Sequence, residues 1–255
     1  MKITTPKNKE TVIKIENLKI KFGELEVLKD VSLELFKGEN LVVLGKSGTG
    51  KSVLIKCIVR LLNSDGGTIH IQDEEVNSLK GDDLNNVRKK IGFLFQSGAL
   101  YDSMTVRQNL AFPLKRIKKD LTESEIEEKI KETLENVGLP DVIDKMPSQL
   151  SGGMRKRISL ARTIIVDPSI MLYDEPTTGL DPVTSHEIST LINDIQMKYK
   201  TSSIIITHDI ECVRTVANRI IMLNEGEVYE EGTLDDFENS KDELIYSFFK
   251  NQNKK

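Results

Sequence analysis

The sequence predicts an α/β fold with a mostly parallel sheet, an antiparallel β layer before it and a helical lobe inserted between two strands. Continuous apolar runs such as Leu41–Leu44 and Ile170–Tyr173 are typical of strands buried on both faces of a parallel sheet. Alternating apolar residues over 12–35, interrupted by Gly23, indicate antiparallel strands. Helical periodicity dominates residues 98–165, which separates the two groups of sheet strands.

The length and pattern of the chain predict one domain over residues 1–255, because no internal repeat or low-complexity linker divides it. We expect the sheet and β lobes to cover about residues 10–97 and 166–238. The helical lobe covers about residues 98–165, and a helical tail covers residues 239–255. The apolar spacing within the tail predicts a docked helix, on its own subunit or on a second copy.

The elements follow from local signals. Thr122 and Glu125 have the spacing of a capping box, and Gly138 ends the apolar stripe that follows. The stripe that this helix buries consists of Ile126, Ile130, Leu134 and Val137. Further helices are expected over residues 51–62 and 182–199, and strands over residues 68–71, 91–95 and 204–207. The last helix and strand form a crossover of the kind that joins parallel strands.

The composition excludes several classes of protein. The formal net charge is −4, so the strongly basic balance of nucleic-acid-binding proteins is absent. No apolar run approaches the roughly 18–20 residues that span a bilayer, and residues 1–11 lack the apolar core of a signal peptide. We therefore expect a cytoplasmic location. Cys57 and Cys212 lack metal-binding spacing and are expected to be buried thiols.

The strongest chemical signal is a glycine-rich stretch between a buried strand and a helix. It matches G-x-x-x-x-G-K-[ST], the P-loop, and a chance match in a chain of this length is roughly a one-per-cent event. Its backbone N–H groups and the helix N-terminus would hold phosphates, Lys51 would supply charge and Ser52 a hydroxyl for Mg²⁺. The stretch consists of Gly45, Lys46, Ser47, Gly48, Thr49, Gly50, Lys51 and Ser52.

Two acidic residues complete the predicted phosphate chemistry. The strand over residues 170–173 ends in Asp174, where a P-loop protein needs a carboxylate for the metal. Glu175 follows, and a carboxylate there can act as general base on an attacking water. Taken alone, the pair is equally well explained as a solvated strand end. The P-loop earlier in the chain favours the functional interpretation.

Residues 150–157 read Leu-Ser-Gly-Gly-Met-Arg-Lys-Arg, which resembles the LSGGQ signature of ABC (ATP-binding cassette) ATPases. Small residues at a helix N-terminus leave N–H groups free to bind anionic oxygens. A flexible Ser-Gly-Gly linker is the alternative, and the helical flanks disfavour it. The resemblance implies a RecA-like core, ATP hydrolysis and a head-to-tail homodimer. In that dimer Ser151, Gly152 and Gly153 of one copy complete the ATP site of the other.

The other positions of this family are filled in order. Gln96 resembles the glutamine that senses Mg²⁺ and relays to the membrane partner, and residues 179–182 resemble the loop that lines the dimer seam. His208 resembles the switch histidine near the γ-phosphate, so Glu175, His208 and Lys51 form the implied catalytic set. Ser52, Gln96 and Asp174 form the implied metal set. Phe22 fits the aromatic residue that stacks on adenine, and a plain core phenylalanine is the alternative.

Two segments narrow the resemblance to a subfamily. Residues 95–106 and the Met-Arg-Lys-Arg stretch at 154–157 resemble the Mla/Mce-type (MlaF-like) phospholipid-transport ATPases of bacteria. This implies a motor on the cytoplasmic face of the inner membrane that drives lipid transport through a separate permease docked near Ser97–Val106. A periplasmic Mce-type lipid-binding subunit is a candidate partner. We expect residues 155–157 themselves to form a solvated helix face with contacts in the dimer.

Two other functions stay open. The first is the ATPase of an importer for amino acids or another small solute, which shares the same framework. The second is a soluble ABC protein of DNA repair, translation or iron–sulfur assembly. The sequence disfavours the second because it lacks a fused second cassette, a long coiled coil and a zinc-binding insertion.

Overall fold

The computed structural model describes residues 9–250, and their ten strands form one sheet. The sheet order is β5-β4-β1-β2-β10-β9-β3-β8-β7-β6. The strands are β1 Thr11–Phe22, β2 Leu25–Phe36, β3 Asn40–Leu44, β4 Gly66–Ile71, β5 Glu74–Glu75, β6 Ile91–Leu94, β7 Ile170–Asp174, β8 Ser202–Thr207, β9 Arg219–Asn224 and β10 Glu227–Gly232.

The helices lie on both sides of the parallel strands and in the segment between β6 and β7. They are α1 Lys51–Ile58, α2 Gly81–Lys89, α3 Val106–Ile117, α4 Glu123–Asn136, α5 Gly152–Ile164, α6 Pro182–Tyr199, α7 Ile210–Val216, α8 Leu234–Glu238 and α9 Glu243–Lys250. Short 3₁₀ turns occupy Pro140–Val142 and Pro147–Gln149. None of the helices within residues 9–250 is long and apolar enough to cross a membrane.

The sheet has a parallel part and an antiparallel part, as predicted. Strands β9, β3, β8, β7 and β6 pair in parallel, whereas β1 pairs antiparallel with both β2 and β4. Every residue of β3, β7 and β8 is buried, which explains their continuous apolar runs. Because parallel strands end at one edge of a sheet, the loops after β3, β6, β7 and β8 meet there.

Side chains alternate across β3 and contribute to two separate cores. Leu41 and Val43 pack in the core that contains α1 and the antiparallel strands. Val42 and Leu44 pack in the core that contains the helices after β6 and the helix α6. The sheet is therefore covered on both faces at the strand that leads into the P-loop.

The segment between β6 and β7 is helical, as the periodicity predicts. Helix α4 begins with the expected capping box, in which Thr122 and Glu125 each bind the other's backbone N–H. Its apolar stripe is buried, and Gly138 ends it with a left-handed φ of 70°. Helix α3 was not predicted, although Thr105 and Gln108 form a second capping box at its start.

The predicted end of the first helix is wrong, and α2, like α3, was not predicted. The first helix ends at Ile58 and not near residue 62, because Arg60 adopts a left-handed φ of 53°. The guanidinium of Arg60 then donates to the carbonyls of Val76, Asn77 and Leu79, which hold it out of the helix. Helix α2 was also missed, because its single buried side chain, Val87, gives almost no apolar periodicity.

The C-terminal helix docks on its own subunit. Ile245 and Phe249 are buried in the core next to α6 and α7, and the ring of Phe249 lies 6.1 Å from that of Phe237. The rest of the predicted tail, residues 251–255, lies outside the described residues, as do residues 1–8. Both cysteines, Cys57 and Cys212, are buried free thiols, as expected.

Candidate functional site

The loop after β3 turns back on itself before α1. Gly50, the N-cap of α1, has a φ of 97°, and a Cβ there would lie 2.6 Å from Cδ2 of Leu28. Only glycine fits that backbone and that contact. The first turn of α1 therefore begins without a side-chain cap, and its N–H groups are directed at the mouth of the loop.

Lys51 lies at the centre of this loop with only 5% of its surface exposed. Its Nζ donates to the carbonyls of Gly45 at 2.7 Å and Lys46 at 2.9 Å, and lies 3.8 Å from Oε1 of Glu175. Burial lowers the pKa of Lys51, while Glu175 and Asp174 act in the opposite direction and favour its charged form. A buried ammonium held by carbonyls is a strong binding group for a phosphate.

Ser52 and Asp174 converge from two elements. The hydroxyl of Ser52, on α1, donates to Oδ1 of Asp174, at the end of β7, over 2.8 Å. A hydroxyl and one carboxylate suit Mg²⁺, which takes few protein ligands and completes its shell with water and phosphate oxygens. The described residues contain no group of three or more His, Cys, Asp or Glu side chains that would form an all-protein metal site. The donors present therefore fit the Mg²⁺ of a nucleotide.

Glu175 is held in an unusual conformation. Its φ is 50°, a region that costs a non-glycine residue about 1–3 kcal/mol, and its N–H donates to the carbonyl of Ile206 on β8. Its Oε2 lies 2.8 Å from Nδ1 of His208 and accepts a hydrogen bond from Thr178. The side chain of His208 is 54% exposed. The carboxylate is thus fixed through Oε2 by His208 and Thr178, while its Oε1 lies 3.8 Å from Nζ of Lys51.

The structure brings eight of the sequence-predicted residues to one cavity of about 270 Å³, namely Ser47, Gly48, Gly50, Lys51, Ser52, Gln96, Glu175 and His208. Gln96, which follows β6, lines this cavity together with the P-loop, Glu175 and His208. Phe22 does not line it and lies at the end of β1 with 49% of its surface exposed. The alternative of a plain core phenylalanine is therefore wrong, and the stacking role of Phe22 stays a prediction.

The signature segment lies apart from that cavity. Ser151 is the N-cap of α5, and its hydroxyl accepts from the N–H of Met154 at 3.2 Å. Ser151 and Gly152 are exposed, and neither lines the cavity around Lys51. A Cβ on Gly153 would lie 2.5 Å from the methyl group of Thr184 on α6. The start of α5 is thus exposed at its tip and closely packed one residue later.

The expectation of a solvated basic face at residues 155–157 is wrong for two of the three side chains. Lys156 is 6% exposed and donates to the carbonyl of Gln96 at 2.9 Å. Arg157 donates to the carbonyl of Val137 and pairs with Glu187. The signal was present in the sequence, because Lys156 is spaced i, i+4, i+8 with two buried apolar residues of α5. Those residues are Leu160 and Ile164.

The segment predicted to dock a permease packs partly on the helical region. Tyr101 is 41% exposed. Its ring centroid lies 5.2 Å from that of Phe112, in an edge-to-face arrangement, and 4.7 Å from Cζ of the Arg162 guanidinium. Met104 is half-buried. The segment is therefore accessible but anchored, and its role in docking a permease stays a prediction.

Comparison with known proteins agrees with this geometry. The model of the ABC transporter family matches residues 28–178. The methionine import ATP-binding protein MetN of Brucella abortus (strain 2308) is 38% identical over 227 residues, which are 89% of this chain and 61% of that protein. MetN of Clostridioides difficile (strain 630) is 36% identical over 221 residues, 87% of this chain and 68% of that protein. The chain thus spans about 61% of the length of the Brucella relative.

Two solved structures resemble most of the chain. The dimeric structure of MJ0796, described as a bacterial ABC transporter cassette, has a TM-score of 0.80 at 33% identity and covers 87% of this chain and 98% of that one. CbiO1 from Clostridium perfringens, described as part of the ABC transporter complex cbiONQ, has a TM-score of 0.83 at 26% identity. That match covers 96% of this chain and 97% of that one.

Proposed function

This chain belongs to the ABC transporter family, whose cassettes bind and hydrolyse ATP, and we propose that it is the motor subunit that drives a separate permease. The chain would act on the cytoplasmic face of the membrane. The relatives that support this role are named ATP-binding proteins of importers, and one related structure is described as part of a larger transporter complex.

The observation that carries the proposal is the convergence of charge at one edge of the sheet. Lys51 would bind the β- and γ-phosphates, for which its charge and its buried position suit it. Ser52 and Asp174 would hold Mg²⁺, which neutralises charge that develops on the phosphate oxygens. Glu175 would be the general base, and His208 would hold it in place.

The proposed reaction is an in-line attack of water on the γ-phosphorus. Glu175 takes a proton from the water as its oxygen bonds to phosphorus, and the bond from phosphorus to the β–γ bridging oxygen breaks. ADP leaves with the electron pair of that bond. With its proton on Nδ1, His208 donates to Glu175 and keeps the carboxylate directed at the water.

The second part of the proposal is a head-to-tail dimer with shared sites. Ser151 and Gly153 of one copy would contact the nucleotide on Lys51 of the other, because they lie outside the cavity of their own subunit. Gln96 would link the nucleotide to the permease, since it lines the cavity and directly precedes the segment 97–106. The related cassette MJ0796 is described as dimeric, which supports this arrangement.

For the cargo, we propose an amino acid or another small solute. The named relatives are methionine importers, and none of them is described as a lipid-transport protein. Phospholipid is the second candidate, which the sequences of residues 95–106 and 154–157 favour. An Mce-type partner has no support among those relatives.

One experiment separates the two cargoes. The tagged protein is purified in mild detergent with whatever permease accompanies it, and the complex is analysed by mass spectrometry for subunits and lipid. Cells lacking the chain are then tested for uptake of labelled amino acids and for envelope permeability. A specific uptake defect with an intact envelope supports the importer. Co-purified phospholipid together with a permeable envelope supports lipid transport and contradicts the importer.

A further inference from the structure

Two cations of α5 hold the backbone of the loop that follows β6. Nζ of Lys156 donates to the carbonyl of Gln96 at 2.9 Å, and Nη1 of Arg162 donates to the carbonyl of Ala99 at 2.7 Å. Charge-assisted hydrogen bonds are roughly twice as strong as neutral ones. Because both acceptors are backbone atoms, α5 holds the path of residues 96–99 directly. The backbone of Tyr101 is held by Asn109 of α3, which accepts from its N–H and donates to its carbonyl.

Packing between these two bonds tightens the attachment. Gly98 lies directly over Ser159 of α5, so that a Cβ on Gly98 would be 2.5 Å from the Ser159 hydroxyl. Ala99 is held at a left-handed φ of 52°. The guanidinium of Arg162 also lies over the ring of Tyr101. Lys156, Ser159 and Arg162, which we call the loop clamp, are spaced three residues apart and are therefore neighbours on the helix surface.

One residue of the clamp, Lys156, also lies near the two carboxylates of the proposed ATP site, Asp174 and Glu175. Burial lowers the pKa of Lys156, and the charges of Asp174 and Glu175 oppose that effect. Lys156 thus lies in the field of the two carboxylates while its hydrogen bond holds Gln96, which lines the nucleotide cavity. The same helix begins at Ser151, outside that cavity.

We propose that α5 acts as a lever, in which Lys156 and Arg162 are positioning residues that make residues 96–101 follow the start of the helix. Binding of the second copy's nucleotide at residues 151–153 would then move the segment 97–106. This inference rests on the proposed dimer with shared sites. It adds which side chains carry the movement across the subunit.

Hydrogen exchange tests the lever in a Glu175→Gln background, where ATP and Mg²⁺ should hold the dimer. We expect nucleotide to slow amide exchange both at residues 151–155 and at residues 97–104. With Arg162→Met added, the change at residues 151–155 should persist, and the change at residues 97–104 should fall by half or more. A full response of residues 97–104 in that variant would overturn the lever.

Arg157→Met is the matched control on the same helix. Arg157 also donates to a backbone carbonyl, that of Val137, and pairs with Glu187, but it does not contact the loop. Its removal should leave both exchange responses intact. An equal loss in this control would show that any weakening of α5 has the same effect, which also overturns the clamp.

A fluorescent probe covers the case in which Arg162→Met does not fold. The chain contains no tryptophan, so Tyr101→Trp places a single indole on the loop beside Arg162. In the Glu175→Gln background, ATP and Mg²⁺ should shift its emission. A dimer that forms on size-exclusion chromatography without any change in emission would contradict the lever.

The same measurements separate this inference from the proposed function. Failure of the Glu175→Gln parent to dimerise with ATP would contradict the dimer with shared sites and the lever together. A normal dimer with a nucleotide response at residues 151–155, but a loop that responds equally in Arg162→Met, would contradict the clamp alone.

Discussion

Helices α1 and α5 both begin with small residues, yet of the two only α1 has the further groups that a phosphate site needs. Helix α1 begins at Gly50 without a side-chain cap, and its first turn carries buried Lys51. Helix α5 begins at Ser151, whose hydroxyl itself caps the helix, and its first two residues after the cap are glycines. The first N-terminus faces two carboxylates, whereas the tip of the second is exposed.

The difference shows what each helix can do alone. At α1, the ammonium of Lys51 and the Ser52–Asp174 pair supply charge and metal ligands as well as backbone donors. At α5, Ser151 offers a hydroxyl and N–H groups, which are too weak alone to capture a nucleotide from water. In the proposed dimer, the second N-terminus would gain a function when another copy brings a bound nucleotide to it.

The largest expected effect is on the rate of ATP hydrolysis, from a change at Lys51 on α1. Lys51→Ala removes the charge at the transferring phosphoryl group and should lower phosphate release at least about 10³-fold. Lys56→Ala, on the same helix but outside the cavity, should leave the rate within about twofold of the original. A Lys51→Ala rate close to that of Lys56→Ala would mean that α1 is not the phosphate site.

Glu175→Gln tests whether the carboxylate beside Lys51 is the general base. The amide keeps the shape of the side chain but cannot take a proton, so hydrolysis should fall about 10²–10⁴-fold while ATP stays bound. ATP and Mg²⁺ should then hold a dimer on size-exclusion chromatography. Turnover near the original rate would remove Glu175 from the proposed role.

The packing at the start of α5 gives a matched pair of variants. A Cβ on Gly153 would collide with Thr184 at 2.5 Å, so Gly153→Ala should destabilise the fold by about 1–3 kcal/mol. A Cβ on Gly152 meets nothing closer than Leu180 at 3.8 Å, and Gly152→Ala should be neutral or gain up to about 1 kcal/mol from helix propensity. Thermal unfolding measures both. Equal melting temperatures would contradict the close approach of α5 and α6.

A smaller effect, a gain in the stability of the fold, is expected from a change at Tyr173, which directly precedes Asp174 and Glu175. The hydroxyl of Tyr173 is fully buried and has no hydrogen-bond partner within residues 9–250, and burial raises its pKa. Removing an unsatisfied buried hydroxyl relieves its desolvation cost, so Tyr173→Phe should stabilise the fold by about 1 kcal/mol. A loss of stability in denaturant unfolding would show that the hydroxyl is bonded in solution.

Much of the fold and of the geometry around Lys51 can be predicted from the sequence, because the sequence signals for it are local. The P-loop glycines, the run that ends in Asp174 and the capping box at Thr122 each specify their neighbours within a few residues. They agree with the structure because local geometry and the tertiary fold require the same residues there.

The sequence-based predictions are wrong where contacts between residues far apart in the chain determine the structure. The end of α1 depends on Arg60, whose guanidinium binds carbonyls 16 to 19 residues further along the chain. The spacing of Lys156 places it on the buried face of α5, but the partner that satisfies its ammonium, the carbonyl of Gln96, lies 60 residues earlier in the chain. A lysine or arginine is expected to be exposed to solvent when the sequence shows no partner for its charge. Here the partner comes close only in the folded chain.

The central claim is that the two N-termini meet in one site, and mixing two inactive variants tests it most directly. A Lys51→Ala subunit and a Ser151→Arg subunit each form inactive homodimers. A mixed dimer has one site with both changes and one intact site, so an equal mixture should regain about a quarter of the original ATPase activity if copies pair at random. If mixed dimers demonstrably form and no activity returns, the N-terminus of α5 does not complete the site on α1 of the other copy.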